Sequence, residues 1–137
     1  MPTLRPLVWL PVLCIAVATL SSGCNALDQD LNLLRKDPMA TWTSPGVIAE
    51  TRSETPARPY GVIPSSEAVI VRSLTFADEN AALTAQAAAR RAAQLSGWKM
   101  EEPANVIGWK QMEGRLSSIG ITGSFDDAKV LVISISI

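Results

Sequence analysis

Side chains able to move protons, attack carbonyls or hold metals are few in this 137-residue chain, and the missing ones decide more than those present. There is no histidine, so Ser-His-Asp and Cys-His catalysis, His-ligated zinc and imidazole pH switching have no side chain to act through. Carboxylates occur as adjacent pairs at Asp78-Glu79, Glu101-Glu102 and Asp126-Asp127. A glycosidase needs two acids facing each other across one bond at a set separation, whereas sequence neighbours on a strand point to opposite faces. Each pair also has a plain structural use: Asp78 suits a helix N-cap, Glu101-Glu102 stands before Pro103 in a loop, and Asp126-Asp127 makes a turn. The string Asp28-x-Asp30-x-Asn32 has calcium-loop spacing, but Leu33 stands where the loop needs glycine and no bidentate glutamate follows. No phosphate-cradling glycine loop, nucleotide fingerprint or metal-ligand spacing is present. The expectation is a protein that is not an enzyme and uses no metal or cofactor.

Binding chemistry has more to work with. Trp42, Trp98 and Trp109, with Tyr60, are flat amphipathic groups that can stack on glycan rings or an apolar ligand. The alternative for Trp98 and Trp109 is core filling in an alanine-rich domain with two phenylalanines, and it is the preferred one. Trp42, in a polar segment, is expected to lie at a membrane or partner interface. Leu83 falls on the polar side of a long helix and, with Arg90, marks either a docking face or an ordinary isolated exposed residue. Charge excludes one class of partner: 12 basic side chains stand against 13 acidic ones, without the basic stripe that displaces counterions from a nucleic acid.

The remaining reactive group is thiol. Residues 6–20 form an uncharged, largely apolar run behind Arg5, followed by Ser21, Ser22 and Gly23. That is the order of an export signal, and at this length, with Pro6 and Pro11 inside, the run is too short for a permanent span, which takes about 20 residues. Cys24 comes next. The string Leu20-Ser21-Ser22-Gly23-Cys24 resembles the lipobox of bacterial lipoproteins, with Gly23 and Ser22 fitting and Ser21 standing where that family usually has leucine. The resemblance implies that Cys24 receives a diacylglyceryl group on sulfur, becomes the first residue after cleavage, and carries palmitate-like chains that hold it at the outer face of the cell membrane. An ordinary signal cleaved after Ala16-Val17-Ala18 is the alternative, and it would release a soluble protein with a free Cys24. Because Cys14 lies inside the signal, either route leaves no disulfide in the folded part. Partners expected for an anchored protein are the membrane itself and another envelope protein or cell-wall component.

These residues need elements to position them. Residues 1–23 are set aside as signal, residues 24–45 read as the lipidated N-terminus and tether, and residues 46–137 as a small domain. Within the tether Leu27, Leu31 and Leu34 recur at helical spacing, ending at Asp37-Pro38. A helix that short is marginal alone, so a frayed spacer is preferred over a helix lying on a membrane or partner. Residues 46–54 read as a charged edge strand, 67–76 as a strand by alternation, and 80–96 as the one long helix, capped by Asp78 and ended by Gly97. The helix is expected to bury a stripe of Ala81, Ala85, Ala88, Ala92 and Leu95. Residues 106–112, 115–124 and 129–137 read as antiparallel strands, the last the most apolar and so central. The fold class is α+β: a single antiparallel sheet of four to five strands with one long helix packed on one face, in the order strand-strand-helix-strand-strand. The alanine-rich helix, short tether and terminal β-hairpin are similar to small actinobacterial lipoproteins, a likeness that implies no activity.

Overall fold

The computed structural model describes residues 22–58, 67–102 and 106–137, with side chains from residue 28 onward. The apolar run with Cys14 and Ser21, and also Tyr60 and Pro103, lie outside the described residues. The elements in chain order are α1 (Ser22–Arg35), a 3-10 turn (Pro38–Ala40), β1 (Val47–Thr55), β2 (Val69–Phe76), α2 (Glu79–Leu95), β3 (Lys99–Met100), β4 (Ile107–Met112), β5 (Arg115–Gly123) and β6 (Val130–Ser136). The strands make one antiparallel sheet in the order β1-β2-β6-β5-β4-β3. The α+β class and the packed helix are as expected. Among the described residues the sheet has six strands rather than four to five, and there are two helices rather than one.

Alternation explains the sheet. Ile70, Leu74 and Phe76 of β2, Leu131, Ile133 and Ile135 of β6, and Ile119 and Ile121 of β5 are all buried in one core with both helices. Their neighbours Val69, Val71, Ser73 and Thr75 on β2, and Val130, Val132, Ser134 and Ser136 on β6, point to the other, open face. β6 lies between β2 and β5, the central place its apolar sequence requires. β1 is an edge, and β4 is covered only in part by the two-residue β3. This short strand had no alternation to announce it. It forms because the chain leaving α2 runs close beside Gly108, where an added Cβ would come within 2.9 Å of the Lys99 carbonyl oxygen.

Both ends of α2 are built as their residues dictate. The Asp78 carboxylate accepts from the Ala81 N–H at 2.8 Å. Gly97 takes φ +90°, which brings the Trp98 N–H to the Ala93 carbonyl and the Gly97 N–H to that of Gln94. The buried stripe differs from the expected one. Ala82, Ala85, Ala89 and Ala93 face the core, while Ala88 and Leu95 are exposed and Ala81 and Ala92 are half-buried. Alanines occur nearly all round this helix, so spacing alone leaves its rotation open by one residue, about 100°. The ending at Gly97 and the burial of Trp98 select the other face.

The segment expected to be a tether is the larger departure. Leu31, Leu34, Met39 and Ala40 are buried in the same core, so residues 31–40 belong to the packed body rather than to a spacer. Composition misled because Asp37-Pro38 reads as a break. Here Asp37 caps the 3-10 turn that Pro38 starts, accepting from the Met39 N–H at 2.9 Å, and the turn drives Met39 and Ala40 inward.

Candidate functional site

The described side chains of chemical interest fall into a polar seam under α1 and an apolar patch on the open face. The seam begins at Arg72, which occupies a core-facing position of β2 and is buried. Its guanidinium donates to Glu50 at 2.7 Å, to the Trp42 carbonyl at 2.6 Å and to the Met39 carbonyl at 3.3 Å. Directly across the β1–β2 pair stands Arg52. It donates to Glu54 at 2.8 Å and to the Ala40 carbonyl at 2.6 Å. Arg35 at the end of α1 reaches the other Glu54 oxygen at 2.9 Å, and nearer the helix start Asp30 pairs with Arg115.

Asp37 is the second centre. Its buried carboxylate accepts from the Trp98 indole N–H at 3.2 Å and from Lys110 at 2.8 Å, besides the Met39 N–H. The Lys110 ammonium also donates to the Ser96 carbonyl at 2.7 Å and lies 5.6 Å from the centre of the Trp98 ring. One carboxylate thus joins the turn after α1, the end of α2 and β4. With three donors on it, this acid is occupied as a structural acceptor.

The electrostatics follow from these contacts. The bond from Arg72 holds the Glu50 carboxyl below its ordinary range against the opposing effect of burial. The bond from Arg35 does the same for Glu54, helped by Arg52. Arg35 and Arg115 are raised in turn by Glu54 and Asp30.

The residues singled out from sequence are scattered. Cys24 lies in the first turns of α1, its backbone helical. Trp98 is 2% exposed, with its one donor taken, and has no face left for a ligand. Trp42 is half-buried against the core and supplies a carbonyl to Arg72, so its place is in the seam. Trp109 is 39% exposed, on the opposite side of β4 from Lys110. Leu83 is exposed beside Asp78, Glu79 and Asn80 in a shallow depression on α2. The structure does not bring the tryptophans together. Among the described residues there is no group of three or more acidic or thiol side chains placed to hold a metal ion, and no helix is long and apolar enough to cross a membrane.

Arg72, Asp37 and Lys110 were not apparent as a group. The one available signal was Arg72 itself: an arginine on the apolar face of an alternating strand has to find buried acceptors. Which acceptors they are depends on the docking of α1, which is beyond any local pattern. Compared with protein-family models, with curated proteins and with solved structures, the chain matches none.

Proposed function

We propose that the chain is a lipoprotein, held by acylated Cys24 at the outer face of the cell membrane, where it serves as a non-catalytic structural or interaction protein of the envelope. The observation that carries this reading is the string Leu20-Ser21-Ser22-Gly23-Cys24 directly after the uncharged apolar run. Each buried CH₂ of an acyl chain adds about 0.8 kcal/mol, so two or three chains on one residue make an anchor that does not come off. The seam supports a scaffold role, because its charged groups are engaged with one another and with backbone carbonyls. A partner would be another envelope protein or a cell-wall component. A second reading, capture of a glycan or small apolar ligand, keeps Trp109 as its carrier, since that ring retains an exposed face.

The test is membrane fractionation of the producing bacterium with intact-mass analysis of the wild type and of Cys24→Ala. A membrane-bound wild type bearing the mass of the acyl groups, with a variant lacking them, is the expected result. A soluble wild type cleaved elsewhere would overturn the anchor and move the search to diffusible ligands.

A further inference from the structure

The open face of the sheet carries three large exposed apolar side chains close together. Ile107 and Trp109 of β4 and Leu116 of β5 are 53%, 39% and 63% exposed. All three point away from the helices, because Gly108 and Lys110 on β4, and Ser117 and Ile119 on β5, take the alternate positions facing the core. The register packs them into one patch: Trp109 stands across from Ser118, Ile107 from Gly120, and Leu116 from Gln111. The small cross-strand neighbours Ser118 and Gly120 leave Trp109 and Ile107 standing proud. Neither strand contains a carboxylate, and Lys99 lies across from Trp109 on the outer side.

What this patch meets is indicated by the direction of α1. Its end is tied to β1 through Arg35 and Glu54, and its earlier part to the turn end of the β4–β5 hairpin through Asp30 and Arg115. Leu31 and Leu34 bury the turns between. The helix therefore runs from the β1 side toward the turn of the hairpin, and its N-terminal turns point that way. Cys24 precedes Asp30 by six residues of the same helix, an axial distance of about 9 Å. No flexible stretch separates the anchor residue from the body.

We propose that the β4–β5 hairpin rests on the lipid surface, with Ile107, Trp109 and Leu116 dipping into the headgroup region beside the acyl chains on Cys24. This rests on the lipoprotein reading. Tryptophan favours that boundary, since its ring is apolar and its N–H stays wet. Lys99, across from Trp109 on the same face, sits at the level of anionic headgroups. The other exposed large groups lie elsewhere: Ile48 is on β1 and Leu95 at the end of α2, Leu83 stands beside acids on α2, and Phe125 is past the far end of β5, roughly 30 Å along the strand direction from Leu116. Docked in this way the domain has one orientation, which leaves the β1 edge and the outer side of α2 free for a partner.

The experiment uses wild type and Trp109→Phe purified from the bacterial membrane, each checked by intact mass. Both are reconstituted into phosphatidylethanolamine–phosphatidylglycerol vesicles with or without brominated acyl chains, which quench tryptophan only on contact. The expected result is strong quenching of the wild type, most of which is lost in Trp109→Phe. As a second reading, an environment-sensitive dye on Leu116→Cys should shift to the blue on reconstitution, and the same dye on Phe125→Cys should not. An acylated protein whose quenching is the same in Trp109→Phe, or whose two dyes report the same aqueous surroundings, overturns the docking and leaves the anchor standing. An unmodified Cys24 overturns both.

Discussion

Two helices cover the same face of one sheet and are held there by opposite means. α2 lies on its alanines, Ala82, Ala85, Ala89 and Ala93, which let it approach the strands closely and make no directional contact. α1 and the 3-10 turn after it bury Leu31, Leu34 and Met39, but are also bound at Asp30, Arg35, Asp37, Met39, Ala40 and Trp42 by charged partners from β1, β2, β4 and β5. Apolar packing tolerates changes of pH and salt, whereas charge-assisted bonds respond to both. The comparison therefore divides the face into an inert half and a half that medium and mutation can loosen.

The sharpest break is on the alanine side. Ala89→Asp puts an unpaired carboxylate at a fully buried position and should cost about 3 kcal/mol or more, enough to unfold a domain of this size near ambient temperature. Ala88→Asp, one residue away on the exposed side, should cost only about 0.7 kcal/mol, the difference in helix propensity. Thermal melts of the pair check the rotation of α2, and equal melting temperatures would refute it.

Next comes the charged half. Arg72→Met keeps the volume but leaves the carbonyls of Met39 and Trp42 without this donor and Glu50 without its ion pair. Losing one partner of a buried charged network costs roughly 3–5 kcal/mol at the upper end, and less here because Glu50 can turn to water. A melting loss smaller than that of Ala89→Asp is expected, with hydrogen exchange rising selectively in residues 30–42. Uniform exchange across α1 and α2 would show that the two halves do not separate.

The same division separates what was legible in the sequence from what was not. Asp78 and Gly97-Trp98 acted through backbone groups within a few residues, and the structure has both caps as those residues imply. The alternations of β2 and β6 marked their core faces without outside help. Residues 28–42 gave a different impression because their order depends on partners 12 to 85 positions away. Leucines spaced over about two turns, an aspartate and a proline look like a spacer until Arg52, Arg72, Lys110 and Arg115 are placed around them. The open-face patch was half visible: Trp109 was singled out, but Ile107 and Leu116 join it only through strand register.

A smaller effect probes the junction of the two halves. Gly108→Ala would set a Cβ 2.9 Å from the Lys99 carbonyl oxygen and 3.1 Å from the Ile119 side chain, pushing β3 off the edge. Because β3 follows Trp98 directly, the shift should also weaken the Trp98–Asp37 bond. Overpacking of this kind costs about 1–3 kcal/mol. A blunted near-ultraviolet signal from Trp98, beside a modest fall in melting temperature, is the expected reading, and an unchanged spectrum would free Gly108 from this role.

The gentlest break is acid. Glu50 and Glu54 are both held below the ordinary glutamate range by their arginines, so the folded state binds those protons less readily than the unfolded chain does. Their contribution is fully present above the unfolded value, about 4.3 for glutamate, and is lost as pH falls through the lower folded values. Both carboxylates are partly exposed, so the loss is small and screened by salt. It is also local: α2 is packed by alanines that do not titrate, and its exchange protection should hold while that of α1 declines. Hydrogen exchange followed from pH 6 down to pH 3, corrected for the intrinsic rate, should show α1 loosening alone at low salt. If α2 loosens in step, the seam and the alanine face are one cooperative unit, and the contrast between them is chemical but not energetic.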